Sequence, residues 1–261
     1  MILFPPAKIN LGLNVLEKRT DGFHEIKTCM VEIPFCDILE ILPSETFTFK
    51  QTGLTVDGDT ESNLCVKAYR LVEERYSVDP VYMHLRKNIP MGAGLGGGSS
   101  DAAYVIKGLN ELFDLNIQDA EMEKLAAELG SDCAFFIKGG VQMSTGRGEI
   151  LSPFDVNLEG FYLKLRYPSL HIGTAEAYGG VSFDKDCSGY DKLGALDFSG
   201  LINSFEEYAF NKYPQLEEIK KGYENEGAIY AAMSGSGSSI FGIYREEPTS
   251  LAQESEWVMK L

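Results

Sequence analysis

After Pro90 the chain runs Met91-Gly-Ala-Gly-Leu-Gly-Gly-Gly-Ser-Ser100 and then enters a helix-like stretch. Glycine removes side chains, so consecutive backbone N–H groups can turn toward one point. At a helix N-terminus such a nest holds an anion without any net charge. Two familiar glycine motifs fail on context. Gly92-x-Gly94-x-x-Gly97 has the spacing of a dinucleotide fingerprint, but the expected helix is followed by a second helix rather than a strand ending near an acidic residue. A Walker loop needs Lys where Gly98 stands. A phosphate cradle of another kind remains, against the plainer alternative of a tight turn or flexible linker.

Other positions could also do chemistry. Asp132 follows Gly130, where an expected helix has ended, and stands beside the apolar run Cys133–Ile137. A carboxylate there is partnered or functional, since unpaired buried charge is costly, or it is a simple turn residue. Lys8 sits one residue before an alternating strand, so rigid backbone can aim it, although a solvated surface is the commoner fate of lysine. Ser234-Gly-Ser-Gly-Ser-Ser239 lies between two strand-like runs. His24, His84 and His171 are scattered, and Cys29, Cys36, Cys65, Cys133 and Cys187 contain no CxxC pair. Sequence neighbours therefore build no zinc-type cluster, and small, buried, reduced thiols are expected.

The elements that must position these groups read as α+β. Residues 9–16 alternate as a half-buried strand, and 26–33, 37–42, 47–50 and 81–85 are further β-prone runs. Asn63 opens a helix with Leu64, Ala68, Leu71 and Val72 on one face. After the glycines, Ala102, Val105, Ile106, Leu109, Leu112 and Phe113 form one helical stripe, with Ser99 and Ser100 as N-cap candidates and Asp101 in the first turn. A helix over 119–129 stops at Gly130, and 134–137 reads as a strand. Residues 148–160 are irregular. Beyond them the pattern gives a strand at 161–166 and helices marked by Leu201, Phe205 and Tyr208 and by Leu216, Ile219 and Tyr223. Strands follow at 229–233 and 240–244, then a short helix within 246–261 with Trp257 as a packing residue. At about 150 residues per domain, the length predicts two domains, 1–153 and 154–261.

Lys plus Arg number 23 against 39 Asp plus Glu, a formal charge of −16, so the surface at large repels nucleic acid and anionic lipid. An anionic ligand would need a local device. No nucleic-acid or membrane partner is expected. The first ten residues lack the basic start and apolar run of a signal peptide, and no apolar stretch approaches the roughly 18 residues of a membrane span. A cytoplasmic protein, monomer or homodimer, is the expectation.

Three segments then point to a family. Pro90 to Ala103 resembles the phosphate loop of the GHMP kinases, the small-molecule kinases of galactose, homoserine, mevalonate and phosphomevalonate. Pro6-Ala-Lys-Ile-Asn-Leu11 looks like their N-terminal motif, and Ala232 to Ser238 like their C-terminal glycine loop. The resemblance implies a ribosomal protein S5 domain 2-like N-terminal domain and a ferredoxin-like C-terminal one, with the active site in the cleft between them. Asp21-Gly-Phe-His24, Leu129-Gly-Ser-Asp132 and Phe135-Phe136 look like one branch, which transfers the ATP γ-phosphoryl to the 2-hydroxyl of a cytidyl diphosphate alcohol in the non-mevalonate isoprenoid pathway. Mevalonate or homoserine kinase activity, or a silent nucleotide sensor, are the competing readings.

By that resemblance, Asp132 is the proton acceptor and Lys8 the cation that holds it ionised and offsets charge on the transferred group. ATP falls to Pro90, Met91, Gly92, Ala93, Gly94, Leu95, Gly96, Gly97, Gly98, Ser99 and Ser100, with Ser234, Gly235, Ser236 and Gly237 supporting the phosphates. Asn63 and Lys87 match nucleotide contacts; a helix cap and a surface lysine are their plain alternatives. Phe23 and Tyr178 are stacking faces for the cytosine, His24 its hydrogen-bonding partner, and Thr174 and Asn10 substrate-site residues, unless the rings are core aromatics. Tyr is usual in the family where Phe23 stands. Mg²⁺ is expected with the triphosphate, yet no carboxylate is marked as its ligand.

Overall fold

The computed structural model describes residues 1–55, 59–249 and 255–261. In chain order its elements begin β1 (Ile2–Leu3), β2 (Pro6–Lys18), β3 (His24–Cys36), β4 (Ile38–Pro43), β5 (Thr48–Gly53), α1 (Leu64–Tyr76), β6 (Val81–Lys87) and α2 (Gly97–Leu112). They continue α3 (Asp119–Leu129), α4 (Phe135–Lys138), β7 (Val141–Gly146), β8 (Ile150–Pro153), β9 (Tyr162–Arg166) and α5 (Thr174–Gly180). The last are α6 (Gly189–Leu193), α7 (Glu206–Lys212), α8 (Pro214–Asn225), β10 (Tyr230–Met233), β11 (Ile240–Tyr244) and β12 (Glu256–Lys260). Two compact units share them. One comprises Met1–Ala7, Phe35–Met91 and Gly96–Gly139; the other comprises Lys8–Pro34, Gly92–Leu95 and Gly140–Leu261.

The first unit is a four-stranded sheet, β1-β4-β6-β5, carrying helices. β5 runs parallel to β6, which requires a crossover, and α1 provides it. The Asn63 side chain accepts from the Cys65 amide and caps α1. α2 packs against α1, α3, α4 and β4, burying Ala102, Val105, Ile106 and Leu109 of the expected stripe. Its start differs from expectation. Gly96, at φ 69°, is the N-cap, so Ser99 and Ser100 lie inside the helix and Asp101 falls in the second turn. A left-handed residue turns the chain here, which glycine does without strain. No side chain caps the first amides.

Residues 134–137 are not a strand. Phe135–Lys138 form α4, where Phe135 and Phe136 meet edge to face at 5.0 Å and are buried together with Ile137. A short run that is apolar at every position has no period to separate helix from strand.

The second unit holds two sheets, β2-β3-β7-β8 and β10-β11-β9-β12. α8 packs on β10 and β11, and one core cluster joins Leu13, Val15, Phe205, Leu216, Tyr223 and Met233. The expected terminal helix is corrected here. Residues 256–260 form β12, antiparallel to β9 with Trp257 opposite Leu165; positions 250–254 of that expectation lie outside the described residues. β12 reads Glu-Trp-Val-Met-Lys, so Trp257 and Val258 carry a short strand signal that pairing with β9 takes up; the acidic residues behind the helix expectation lie mostly before it. α7 begins at Glu206, leaving Leu201 in the preceding segment. Three cysteines are buried as expected, but Cys36 and Cys187 are only half-buried. Among the described residues no helix is long and apolar enough to cross a membrane.

Phe135→Ala should lower stability by about 3–5 kcal/mol through lost burial and a residual cavity. The urea midpoint should fall at an unchanged slope; an unmoved midpoint would remove α4 from the core.

Candidate functional site

The glycine run has the backbone its composition calls for. Gly92, Gly94 and Gly96 sit at φ 61°, 78° and 69° with other conformations between them, the alternation that turns amides to one side. At Gly94 no side chain is tolerated: a β-carbon would lie 1.9 Å from the Ser234 carbonyl oxygen. Within the second unit the run is tied down by Ser239 N donating to Ala93 O at 3.1 Å and Lys8 N donating to Leu95 O at 2.9 Å. Ser234 Oγ donates to Gly94 O at 2.9 Å. The second glycine loop is held in turn by Asn203, whose Nδ2 donates to Met233 O and Gly235 O at 2.7 and 2.8 Å. Nothing in the sequence pattern singled out Asn203.

Lys8 lies buried on β2. Its Nζ donates to Asn10 Oδ1 at 2.6 Å and to Gly94 O at 3.1 Å. Asn10 Nδ2 donates to Thr28 Oγ1 on β3 at 2.9 Å. The fold therefore brings Gly94 and Ser234, 140 residues apart, onto one hydrogen-bonded cluster with Lys8 and Asn10.

Aromatic residues gather where β2 turns into β3. Asp21 Oδ1 accepts from Phe23 N at 3.0 Å, and Arg19 pairs with both Asp21 and Glu25. The Arg147 guanidinium stands 4.7 Å from the Phe23 ring centroid, a cation–π contact on an exposed ring. His24 stacks on Tyr178 at 4.6 Å with the planes 18° apart, and Phe205 supports Tyr178 edge-on at 4.9 Å. Burial, and then the charge of Lys18, lowers the His24 pKa below the usual histidine range, so the ring is neutral at pH 7 and has one donor and one acceptor. Thr174, exposed, opens α5 on the same helix as Tyr178. Phe183, exposed and 6.0 Å from His24, was not foreseen because no motif covers its segment.

The first unit contains a cavity of about 440 Å³ lined by Gln51, Asn63, Leu64, Leu85, Lys87, Met91, Gly98 and Asp101, among others. Asn63 both caps α1 and faces this space, donating to Gln51 Oε1 at 3.3 Å. Lys87 is no surface lysine. It is 1 % exposed, and its ammonium is shared by Asp101, at 2.7 Å, and Asp37. Asp37 also accepts from the amides of Asn88 and Ile89 at 2.5 and 2.8 Å. Burial favours the neutral form of Lys87, but the two carboxylates outweigh it and raise the pKa. Burial pushes the Asp101 carboxyl up to about 7, and its Oδ1 has no hydrogen-bond partner. Sequence reasoning found Lys87, gave Asp101 only a place at the start of a helix and missed Asp37; only the fold brings positions 37 and 101 to one ammonium.

Asp132, half-buried, occupies the turn between α3 and α4. Burial pushes the neighbouring Cys133 thiol up to about 11, against a hydrogen bond with Ser99. Among the described residues, no group of three or more His, Cys, Asp or Glu could hold a metal ion.

Comparison with known proteins follows the same geometry. The GHMP kinase N-terminal domain model matches residues 63–140, and the GHMP kinase C-terminal model matches 188–256. The chain is 45 % identical over 260 residues to a 4-diphosphocytidyl-2-C-methyl-D-erythritol kinase of Cytophaga hutchinsonii, covering 98 % of this chain and 96 % of that one. A Bacteroides fragilis protein of the same name is 46 % identical over 255 residues, covering 95 % and 93 %. Among solved structures, a 4-(cytidine 5'-diphospho)-2C-methyl-D-erythritol kinase superposes with TM-score 0.81 at 33 % identity, covering 93 % of this chain and 90 % of that one. An L. major mevalonate kinase shares the fold (TM-score 0.72, 17 % identity, covering 94 % of this chain and 87 % of that one).

The buried triad predicts a pH effect with a definite sign. Folded Asp101 keeps its proton up to about pH 7, while an unfolded aspartate releases it near pH 4, at about the ordinary value. Between those values the folded state binds more protons, so this group's contribution to stability falls as pH rises. Asp101→Asn cannot titrate. Its melting temperature relative to wild type should therefore improve from pH 5 to pH 8; a difference independent of pH would contradict the assignment.

Proposed function

We propose that this chain, which belongs to the GHMP kinases and among them to the 4-diphosphocytidyl-2-C-methyl-D-erythritol kinases, transfers the γ-phosphoryl group of ATP to the 2-hydroxyl of that cytidyl alcohol in the non-mevalonate route to isoprenoids. The observation that carries the reading is the match at 45 % identity along nearly the whole chain to a kinase of that name. The clusters described above support it at the level of side chains.

Phosphoryl transfer asks a protein chiefly for alignment and charge neutralisation. The triphosphate is assigned to the main-chain amides of residues 92–98 and the first turn of α2, with the Ser234–Gly237 loop behind Gly94 in support. The nucleoside end is assigned to the cavity walled by Leu64, Leu85 and Met91, where Asn63 and Gln51 offer amide groups. For the acceptor, Phe23 and Tyr178 present ring faces to the cytosine and neutral His24 a hydrogen-bonding edge. Asn10 and Thr174 position the rest of the alcohol. As the hydroxyl oxygen forms its bond to the γ-phosphorus, the bond from that phosphorus to the bridging oxygen breaks and ADP leaves. Asp132 takes the hydroxyl proton, and Lys8 offsets charge on the transferring group.

Mg²⁺ would neutralise phosphate oxygens and be held largely by them. The residues fit such a guest modestly: Ser100 Oγ, in the first turns of α2, is buried with no hydrogen-bond partner. The reading places the enzyme in the cytoplasm, acting on small molecules.

With Mg²⁺, ATP and the cytidyl alcohol, purified protein should release ADP; release with mevalonate or homoserine in place of the cytidyl alcohol would reverse the substrate assignment. Asp132→Asn should reduce kcat by about 100-fold or more while leaving ATP binding nearly intact. Near-normal turnover would remove Asp132 from the chemistry.

A further inference from the structure

The hydrogen bonds that end on Lys8 have a direction, and it is set from the far end. Gly12 lies inside β2 at φ 70°, where a β-carbon would come within 2.9 Å of the Tyr190 hydroxyl. Its amide donates to Tyr230 Oη at 3.2 Å, and its carbonyl accepts from Thr28 Oγ1 at 2.6 Å. A carbonyl oxygen can only accept, so the single hydroxyl proton of Thr28 is committed to it. Thr28 Oγ1 can then only accept from Asn10, and the group facing it at 2.9 Å must be the Asn10 NH₂. That fixes the carboxamide: its oxygen faces Lys8 Nζ, at 2.6 Å. A flipped carboxamide would set NH₂ against NH₃⁺. Lys8, Asn10 and Thr28 are all buried, where water cannot replace a lost partner and each bond is electrostatically stronger.

We propose that Thr28 is a positioning residue for phosphoryl transfer: its hydroxyl orients the Asn10 carboxamide, and through it the Lys8 ammonium. The proposal rests on the assignment of Lys8 to the transfer step. Thr28 appears in none of the motifs that led to the site, because its role is set by a strand pairing and a glycine carbonyl.

Thr28→Val keeps the shape and removes the hydroxyl, and with it the bond to Gly12 O and the acceptor that faces the Asn10 NH₂. Turnover per folded molecule should fall about tenfold or more, since a Lys8 ammonium no longer held in place stabilises the transferring group less, with KM for ATP within twofold of wild type. Thr28→Ser should restore most of kcat. Independently of activity, the Asn10 side-chain NH₂ protons should be protected from exchange in wild type and Thr28→Ser and exposed in Thr28→Val, by ¹⁵N NMR. A Thr28→Val enzyme with wild-type kcat and unchanged Asn10 protection overturns the proposal, as does a Thr28→Ser enzyme as impaired as Thr28→Val. A Lys8→Met enzyme with wild-type turnover overturns the assignment of Lys8 instead, and the NMR readout then decides the orientation by Thr28.

Discussion

The site depends on how closely two stretches of bare backbone approach each other. Gly94 passes the Ser234 carbonyl where even one added carbon would collide at 1.9 Å, and Gly94 O accepts hydrogen bonds from both Ser234 Oγ and Lys8 Nζ. The left-handed backbone at Gly92, Gly94 and Gly96 is the cost of that approach, and its product is a row of amides with no side chain in front of them. Rigidity comes from outside the loop: Asn203 clamps the second glycine run, and Lys8 N and Ser239 N clamp the first.

That arrangement answers the problem set by a formal charge of −16. A general field of one sign cannot gather a polyphosphate of the same sign, so attraction has to be short-ranged and oriented. Main-chain N–H groups at an uncapped helix start are both, and they add no charge that would need a counter-ion elsewhere. The lack of a side-chain cap on α2 fits the proposed anion site: a serine or aspartate cap would occupy the amides assigned to the phosphates.

Much of this was legible in the sequence, and what was not shares a cause. The amphipathic period of α2 and α3, Asn63 as a cap and Pro214 at the start of α8 are local signals, and each marks its element; the alternation over 9–16 marks β2 as a strand but not as the half-buried one expected, because Asn10, Gly12 and Asn14 are buried as well. Residues 134–137 are apolar throughout and so show no period, while the strand signal of Trp257 and Val258 is short and follows an acidic stretch that reads otherwise. The two units interleave along the chain, and no change of composition marks the places where it passes from one to the other. In the site, residues within glycine motifs could be read off, whereas Thr28, Asn203, Asp37 and Asp101 act through partners between 14 and 52 residues away, so no spacing rule reaches them.

Lys87 shows how far a residue's charge can be from its use. Sequence resemblance marks it as a nucleotide contact, and it does line the cavity of the first unit, but its ammonium already donates to Asp37 and Asp101. With both carboxylates ionised, the triad carries a net negative charge, and with Asp101 protonated it carries none. In neither state does it offer a cation to phosphate. The wall it forms is therefore suited to the uncharged part of a nucleotide, beside the apolar side chains of Leu64, Leu85 and Met91 and the amides of Asn63 and Gln51. In the proposed reading polyanion binding is left to the main chain at the start of α2, and Lys87 fixes the end of β6 to the second turn of that helix through Asp101.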